Sequence, residues 1–406
     1  MALDLLFLTQ TYPRFAGDTA GPFIEDLARA LVRGGDRVTV LAPHAEGLPE
    51  RWEAGGVEVM TFRYAPERRE VMGYGRSLQA DERVKRAAAL VTPFYMAAAR
   101  GALSRLLRQR RRDLVHAHWI VPNGPIAAAA AGRTPLAIGL HGSDVFLAER
   151  RGMRSAVRWA LRRTRLLTSC SPELAARIQA LGFAVAASRV IPYGVDTQTF
   201  APAAARRSLW RGRLGIPEAA PLVLGIGRMV TKKGFQVLLA ALPALLEAEP
   251  HAHVVLAGGG DLLAPLRATA AERWPGRLHL PGPVLRDVLP DLFRAADLFV
   301  LPAMHDGRGN VDGLPNVILE AMASGLPVIA SGISGIPLVV EHGASGLLVP
   351  EQDPEALGTA LVRLLRDRDL ARRLGARGRQ KAERELTWGA IAARYRDAYQ
   401  ATLAGR

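Results

Sequence analysis

Short runs of β-branched and leucine-rich residues, each bounded by turn residues, alternate along the chain with longer stretches of helical period. In the first half the runs are LDLLFLT, RVTVLAP, VEVMTF, DLVHAHW, PLAIGLH, LLTSCS and RVIPYGV; in the second they are PLVLGIGR, HVVLAGGG, RLHLPG, DLFVLPA, PVIAS and GLLVP. That rhythm predicts parallel sheets covered by helices on both faces, so each half is read as an α/β, doubly wound, Rossmann-like domain. Between the halves, residues 199–221 carry Pro202, Pro217 and Pro221 without a strong period and read as a linker. The expected division is 1–198, 199–385 and a helical tail, 386–406, that crosses back to brace the first domain. Ligands of open parallel sheets gather at the carboxyl ends of strands. Two such domains facing each other are expected to frame a cleft, with the chemistry where strands end.

Length and composition agree with that picture. A chain of 406 residues, 49% hydrophobic and 22% charged, is long enough for two cores and too apolar for general disorder. Cys170 is the single cysteine, so no intrachain disulfide can form, and Asp4 interrupts the first apolar run where a signal peptide would be basic and then continuously apolar. A cytoplasmic setting is expected. The most apolar segment, NGPIAAAAAGRTPLAIGL, is broken by Gly, Arg and Pro before it reaches spanning length. Lysine and arginine total 53 against 38 acids, a surplus of +15 that favours a polyanion as partner: nucleic acid, an acidic membrane surface or a phosphorylated substrate. RNA-binding signatures such as an aromatic strand motif or a zinc knuckle are absent, so nucleic acid is not expected.

The densest chemistry lies in VDGLPNVILEAMASGLPVIAS, residues 311–331. Pro315 suits a first helical turn and Gly325 a helix end. N–H groups around Asn316, Val317 and Ile318 then point out of a helix start, where donors and dipole together favour a phosphate. Glu320, one turn on, can accept both hydroxyls of a ribose. Asp312 precedes the helix and can reach the far side of an elongated ligand; a capping Asp312 with a solvated Glu320 is the plainer reading. The company decides between them. LGIGRMVTKKGF ends a strand at Gly227 and places Arg228, Lys232 and Lys233 in the loop that follows, as a diphosphate clamp requires. VVLAGGGDL ends another strand in three glycines that permit close backbone approach.

With these motifs the sequence resembles the retaining glycosyltransferases of family 4, the glycosyltransferase group 1 type with the two-domain GT-B fold. DGLPNVILE resembles that family's E-x7-E element, RMVTKK matches its R-x4-K element at Arg228 and Lys233, and EHGASGLLVP and IPYGVD are similar to phrases at matching places. The resemblance covers almost the whole chain. It implies that Glu320 binds the ribose and Arg228 and Lys233 the donor diphosphate. It implies also that the backbone of Gly313, Leu314, Pro315 and Asn316 holds phosphate and sugar. The first acid of the pair is Asp312 here rather than Glu, still an acceptor for sugar hydroxyls but one methylene shorter. Asp306, in the insertion-like HDGRGNV, is a competing acid whose spacing does not match. Base recognition is expected from backbone groups near Pro283 and Val284.

In the first half, LAIGLHGSDVF ends a strand in His141-Gly142-Ser143-Asp144. The resemblance puts His141 beside the donor sugar; Asp144 either orients it or caps the following helix. DLVHAHW places His116 and His118 on one side of a strand, and His118 is expected to line the acceptor side. These three histidines raise zinc, but no cysteine pair or acidic third ligand accompanies them and the resembling enzymes generally work without a metal, so neither metal nor cofactor is expected. The family's glycine-rich loop near the donor phosphates carries over as Gly21. Two basic stretches, ARGALSRLLRQRRRD and RRGMRSAVRWALRRTRLL, read as solvated helix faces or as a dock for an anionic bilayer, with Arg154, Arg158 and Arg162 recurring every four residues beside Met153, Val157 and Leu161.

The sequence therefore reads as a retaining hexosyltransferase that uses a nucleotide diphosphate sugar and a saccharide or lipid-linked acceptor in cell-surface polysaccharide or glycolipid assembly, cytoplasmic and peripheral to the membrane. In this reading Arg228 and Lys233 stabilise the leaving group's charge while His141 and Asp312 position the sugar. Its rival is a nucleotide-sugar-binding or membrane-associated partner protein without catalysis. A phosphorylase is disfavoured because no lysine stands in a pyridoxal phosphate context.

Overall fold

In the computed structural model, residues 2–15, 17–74, 82–182, 187–203 and 206–405 are described. They form two units, Met1–Pro192 with Trp388–Arg406, and Tyr193–Thr387.

The first unit is built on strands β1 (Asp4–Leu8), β2 (Arg37–Pro43), β3 (Arg51–Ala54), β4 (Val57–Phe62), β5 (Leu114–His118), β6 (Leu136–Leu140), β7 (Leu166–Ser169) and β8 (Ser188–Val190). Its helices are α1 (Pro22–Arg33), α2 (Glu82–Gln109), α3 (Ile120–Ala130), α4 (Ser143–Ala148), α5 (Arg151–Leu161) and α6 (Pro172–Ala180). The sheet order is β3-β4-β2-β1-β5-β6-β7-β8. β1, β5 and β6 are buried along their whole length, as strands covered on both faces must be. Every neighbouring pair is parallel except β3 with β4. The sequence pattern misses β3 because RWEA is short and its residues alternate between exposed and half-buried. The turn that makes it, Gly55-Gly56 with φ of 62° and 77°, is a hairpin signal in the sequence.

The second unit carries α7 (Ser208–Leu214), β9 (Leu222–Ile226), α8 (Phe235–Ala248), β10 (His253–Ala257), α9 (Leu263–Arg273), β11 (Leu278–Gly282), α10 (Leu289–Ala295) and β12 (Leu298–Leu301). It continues with α11 (Asn316–Ala323), β13 (Val328–Ser331), α12 (Ile336–Val339), β14 (Leu347–Val349), α13 (Pro354–Arg366) and α14 (Arg368–Glu385). Its sheet, β11-β10-β9-β12-β13-β14, is parallel throughout. A last helix, α15 (Trp388–Ala404), belongs to the first unit. There Tyr399 is fully buried and its hydroxyl lies 2.7 Å from His116 Nδ1.

Two expectations at the junction change. Tyr193–Gln198 belong to the second unit because Val195 bridges Thr387 and its N–H donates to the Leu386 carbonyl at 2.8 Å. The stretch expected as a linker contains α7, pinned by Arg211, which is 1% exposed. Its guanidinium donates to the carbonyls of Ala295, Pro217 and Ala220 and to the Asp297 carboxylate, so the charge is fully bonded in the interior.

The carboxyl ends of β9, β10 and β12 approach so closely that side chains are excluded. A Cβ at Gly234 would stand 1.6 Å from the Pro302 carbonyl oxygen, at a φ of +68°. Gly234→Ala is therefore expected to cost roughly 3 kcal/mol or more of unfolding free energy. Gly276→Ala, at φ +70° with open space around it, is expected to cost only about 1 kcal/mol. Urea denaturation of both variants checks this, and equal losses would contradict the close approach.

Candidate functional site

In the second unit, the loop after β9 and the loop before α11 meet through charge. Asp312 Oδ1 lies 2.6 Å from Lys232 Nζ and Oδ2 lies 2.7 Å from Lys233 Nζ. Both lysines are buried. Burial works to raise the Asp312 carboxyl, but Lys233 and Lys232 outweigh it and hold it far below the usual carboxylate range. Burial lowers the Lys233 ammonium, with Asp312 opposing. Arg228, exposed on the same loop, adds a third positive group close enough to Lys233 to lower it further. Three cations against one carboxylate leave two positive charges at the carboxyl end of the sheet, which matches the charge of a diphosphate. Lys232 is as close to the acid as Lys233; its adjacency in VTKKG is the signal for it, though the family motif names only the second lysine.

The Gly-rich turn after β10 supports this loop. The close backbone approach expected of its three glycines is present, and the neighbours are mainly the main chain of the loop after β9. A Cβ on Gly258 would stand 1.8 Å from the Gly227 oxygen, and one on Gly260 2.6 Å from the Met229 oxygen. The Met229 N–H donates to the Gly259 carbonyl and the Gly258 N–H to the Gly282 carbonyl, both at 2.8 Å. Pro283 packs on Gly259, and Val284 follows it, half-buried.

Residues 313–315 are buried and α11 begins at Asn316, with Pro315 just before it. The Gly313 carbonyl accepts from the Gly335 N–H at 2.8 Å and the Ser334 hydroxyl at 3.0 Å, a brace that sequence reasoning missed. The Ile318 N–H donates back to Pro315 at 3.1 Å, so it is spent within the helix and the expected donor set contracts to Asn316 and Val317. Asn316, Val317 and Glu320 are half-buried while Ile318, Leu319, Ala321, Met322 and Ala323 are buried; the spacing from Asn316 to Glu320 puts both on one face. Asp306, the competing acid, bonds the N–H groups of Arg308 and Asn310 at 2.9 and 3.0 Å and closes its own loop.

The first unit gathers its residues at the ends of β5 and β6. His118 Nδ1 and His141 Nε2 are 3.1 Å apart, with their rings stacked 5.2 Å between centres. The rings of Trp119 and Phe23 stand 4.9 and 5.1 Å from that of His141. Phe23 comes from the first turn of α1, whose N-cap is Gly21 at φ 68°; a Cβ there would touch Thr11 Cγ2 at 2.9 Å. Gly139 is required beneath the cluster, since a Cβ would meet His116 and His141 at 3.0 Å. Trp119 takes a φ of 66°, held by its N–H on the Gly139 carbonyl and by Asn123 on the His118 carbonyl. Burial drives the imidazolium forms of His116 and His141 down to about 3 and that of His118 well below its usual value, so these three histidines are neutral at physiological pH.

Asp144 neither bonds the His141 ring nor caps a helix in the ordinary way. Its oxygens accept the backbone N–H groups of Gly142, Ile120 and His141 at 2.8, 2.9 and 3.2 Å, tying the two loops together. Burial raises its carboxyl to about 6, against the pull of those bonds. Among the described residues no three His, Cys, Asp or Glu groups are arranged to hold a metal ion.

Two such α/β units, each on a parallel-dominant sheet, have the GT-B glycosyltransferase fold. The chain belongs to the group 1, family 4 glycosyltransferases. Residues 220–367 match the family described as glycosyl transferases group 1, and residues 20–199 match glycosyltransferase family 4. The chain is similar to the GDP-mannose-dependent alpha-(1-6)-phosphatidylinositol monomannoside mannosyltransferase of Mycobacterium tuberculosis. The two are 33% identical over 300 residues, covering 71% of this chain and 78% of that one. It is 30% identical over 343 residues to the GDP-mannose-dependent monoacylated alpha-(1-6)-phosphatidylinositol monomannoside mannosyltransferase of Corynebacterium glutamicum, covering 81% and 86%. Sucrose-phosphate synthase from Thermosynechococcus elongatus shares the fold, with a TM-score of 0.79 at 24% identity over 99% of this chain and 100% of that one.

The neutral histidines carry a stability signature. Groups whose folded pKa lies below the unfolded value of about 6.5 contribute stability that is present above that pH and lost as pH falls toward 3. Asp144, raised to about 6, acts in the opposite sense but is one group against three. The melting temperature is expected to fall from pH 7.5 to pH 5. The slope is expected to be shallower in His116→Gln, by up to one proton or about 1.4 kcal/mol per pH unit. Identical slopes in both proteins would contradict this.

Proposed function

We propose that this transferase moves a hexose from a nucleotide diphosphate sugar, with GDP-mannose the leading donor, to a saccharide or lipid-linked acceptor in cell-surface polysaccharide or glycolipid assembly, with retention at the anomeric carbon. The observation that carries the reading is the buried Lys232–Asp312–Lys233 group, with Arg228 beside it and the start of α11 next to it. The relatives named for GDP-mannose and phosphatidylinositol mannosides support the donor and the acceptor class.

In this mechanism Arg228, Lys232 and Lys233 take the diphosphate, and their charge meets the negative charge that grows as the glycosidic bond breaks. No metal is called on, because these cations do the work of one. The N–H groups of Asn316 and Val317 face the phosphates, and Glu320 accepts the ribose hydroxyls. Gly313, Leu314 and Pro315 shape the backbone against the sugar, Gly21 lets α1 start close to the phosphates, and Val284 marks the base. Asp312 holds both lysines and turns its remaining lone pairs to the sugar hydroxyls, while His141, neutral and backed by His118, contacts the sugar. Asp144 is not a nucleophile, since three backbone N–H groups occupy its oxygens. Departure and attack on the same face, with the diphosphate oxygen taking the acceptor's proton, is the remaining route to retention.

The setting we propose is the cytoplasmic face of an anionic membrane. Among the described residues no helix is long and apolar enough to cross a bilayer. On α5 the apolar face is spent on the core, with Val157 and Leu161 buried, and the exposed side includes Arg154, Arg158 and Arg162 with a partly exposed Trp159. Among the described side chains of α2 the exposed ones include Leu90 and Phe94, 75% and 66% exposed, and further along Arg100, Arg105 and Arg108, an apolar patch followed by a basic one. Sedimentation with phosphatidylglycerol vesicles is expected to bring the protein down at low salt, and to fail at 1 M salt (Debye length about 3 Å) or in Leu90→Ser/Phe94→Ser. Equal recovery of that variant would refute the α2 dock.

GDP-mannose, UDP-glucose and ADP-glucose are the donors to screen by thermal shift and slow hydrolysis. The expected result is stabilisation of about 2.7 kcal/mol at a hundredfold excess over Kd for one donor, slow release of its sugar unaffected by a chelator, and loss of both in Glu320→Ala. No stabilisation of folded protein by any donor would overturn the reading, and binding without hydrolysis or transfer would point to a non-catalytic partner.

A further inference from the structure

At the amino end of the second unit's sheet, away from the Lys232–Asp312–Lys233 group, the loop 340–346 leads into β14 and α14 runs beside it. A cavity of about 490 Å³ opens between them, within the size range of small-molecule sites. Arg377, Lys381 and Arg384 line it from one face of α14, and Glu341 lines it from the loop. Gln380 and Glu385 extend the polar lining. Both walls are fixed by main chain. A Cβ on Gly375 would stand 2.2 Å from the Gly325 oxygen and one on Gly378 3.2 Å from the Ser345 oxygen, so α14 lies close against the loops that precede β13 and β14. The loop closes on itself, the Ser345 hydroxyl accepting the Glu341 N–H and the Glu341 carbonyl accepting the Ser345 N–H, both at 2.9 Å. The cavity therefore keeps its shape without a ligand.

The charges that line it are unspent. Elsewhere on α14 cations meet acids: Arg372 bonds Asp369, and Arg379 lies 2.7 Å from Glu383. In the cavity Lys381 donates to the Leu338 carbonyl at 3.4 Å. Among the described residues the guanidinium groups of Arg377 and Arg384 have no ion-pair partner, and neither have the carboxylates of Glu341 and Glu385. Opposite charges thus share one cavity without meeting.

We propose that this cavity binds a soluble phosphate monoester of a polyol, with the phosphate on Arg377, Lys381 and Arg384 and the hydroxyls on Glu341 and Glu385. Three cations along one helix face suit a dianion, and guanidinium forks take phosphate oxygens in pairs. A bare anion would leave two carboxylates facing it with like charge, and an uncharged polyol would leave three cations unmet. Hydroxyls that donate to the carboxylates while the phosphate meets the cations satisfy both sets. Ala344 is the one apolar residue in the lining, so the cavity offers a bilayer no anchor.

The test is calorimetric titration of the full chain with D-mannose 6-phosphate and myo-inositol 1-phosphate, beside D-mannose, myo-inositol and inorganic phosphate. At least one ester is expected to bind the wild type more tightly than either of its parts, and to lose roughly tenfold or more in affinity in Arg377→Ser/Arg384→Ser. Arg372→Ser/Arg373→Ser removes the same charge from the same helix outside the cavity and is expected to bind as the wild type does; all four arginines are exposed. No ester binding by the wild type, equal affinity in Arg377→Ser/Arg384→Ser, equal losses in the two double variants, or inorganic phosphate binding as tightly as the ester would each overturn the site. Sedimentation with phosphatidylinositol 4-phosphate vesicles is expected to recover the wild type and Arg377→Ser/Arg384→Ser equally. Recovery lost in that variant would place the phosphate on a lipid headgroup and overturn the soluble ligand.

Discussion

Two lysines buried side by side in one loop are tolerated because a single carboxylate, Asp312, bonds both of them. Without that acid, like charges close together in a low-dielectric corner would repel and carry an uncompensated desolvation cost of several kcal/mol. With it, the corner keeps its geometry and, counting Arg228, still has positive charge to spare. The contact depends in turn on backbone. Gly234, Gly258 and Gly260 lie where a Cβ would strike a carbonyl oxygen, so the loops after β9, β10 and β12 pack main chain against main chain. That tightness brings a residue after β9 within reach of one before α11.

The first unit solves a different problem with the opposite electrostatics. Its corner is aromatic, with neutral histidines: His118 and His141 share a hydrogen bond, and Phe23 and Trp119 stand against the ring of His141. Burial keeps the histidines neutral, and the nearby carboxylate, Asp144, is raised toward neutrality and committed to backbone N–H groups. In the proposed mechanism, a group that touches a sugar without drawing protons or counter-ions would be well served by such surroundings. A departing diphosphate would there meet the charged corner of the second unit.

Much of this was legible in the chain. The buried parallel strands announce themselves as continuous apolar runs, and the end of each run is where the chemistry of open sheets collects, which is how His118, His141, Arg228 and Lys233 stand out. β3 was not legible from periodicity, because an edge strand of four half-exposed residues has no apolar face to display. α7 was hidden by the prolines that flank it and by the polarity of Arg211, whose burial makes sense only once Asp297 and four carbonyls surround it. The apolar stripe of α5 was read correctly as a stripe, but periodicity does not say whether it faces the protein interior or a membrane; Val157 and Leu161 face the interior.

Sequence by itself determined the class of fold, the family, and the residue types at the strand ends, because strand periodicity, helix-end chemistry and motif spacing are local and survive in one dimension. Tertiary structure alone decided who bonds whom. Asp312 is paired with Lys232 and Lys233 across about eighty residues, Asp144 is a backbone clamp rather than a partner of the His141 ring, and the close approach that the three glycines after β10 allow is to Gly227, Met229 and Pro283. Those outcomes depend on distances between segments far apart in the chain, and only the closing of each sheet sets such distances.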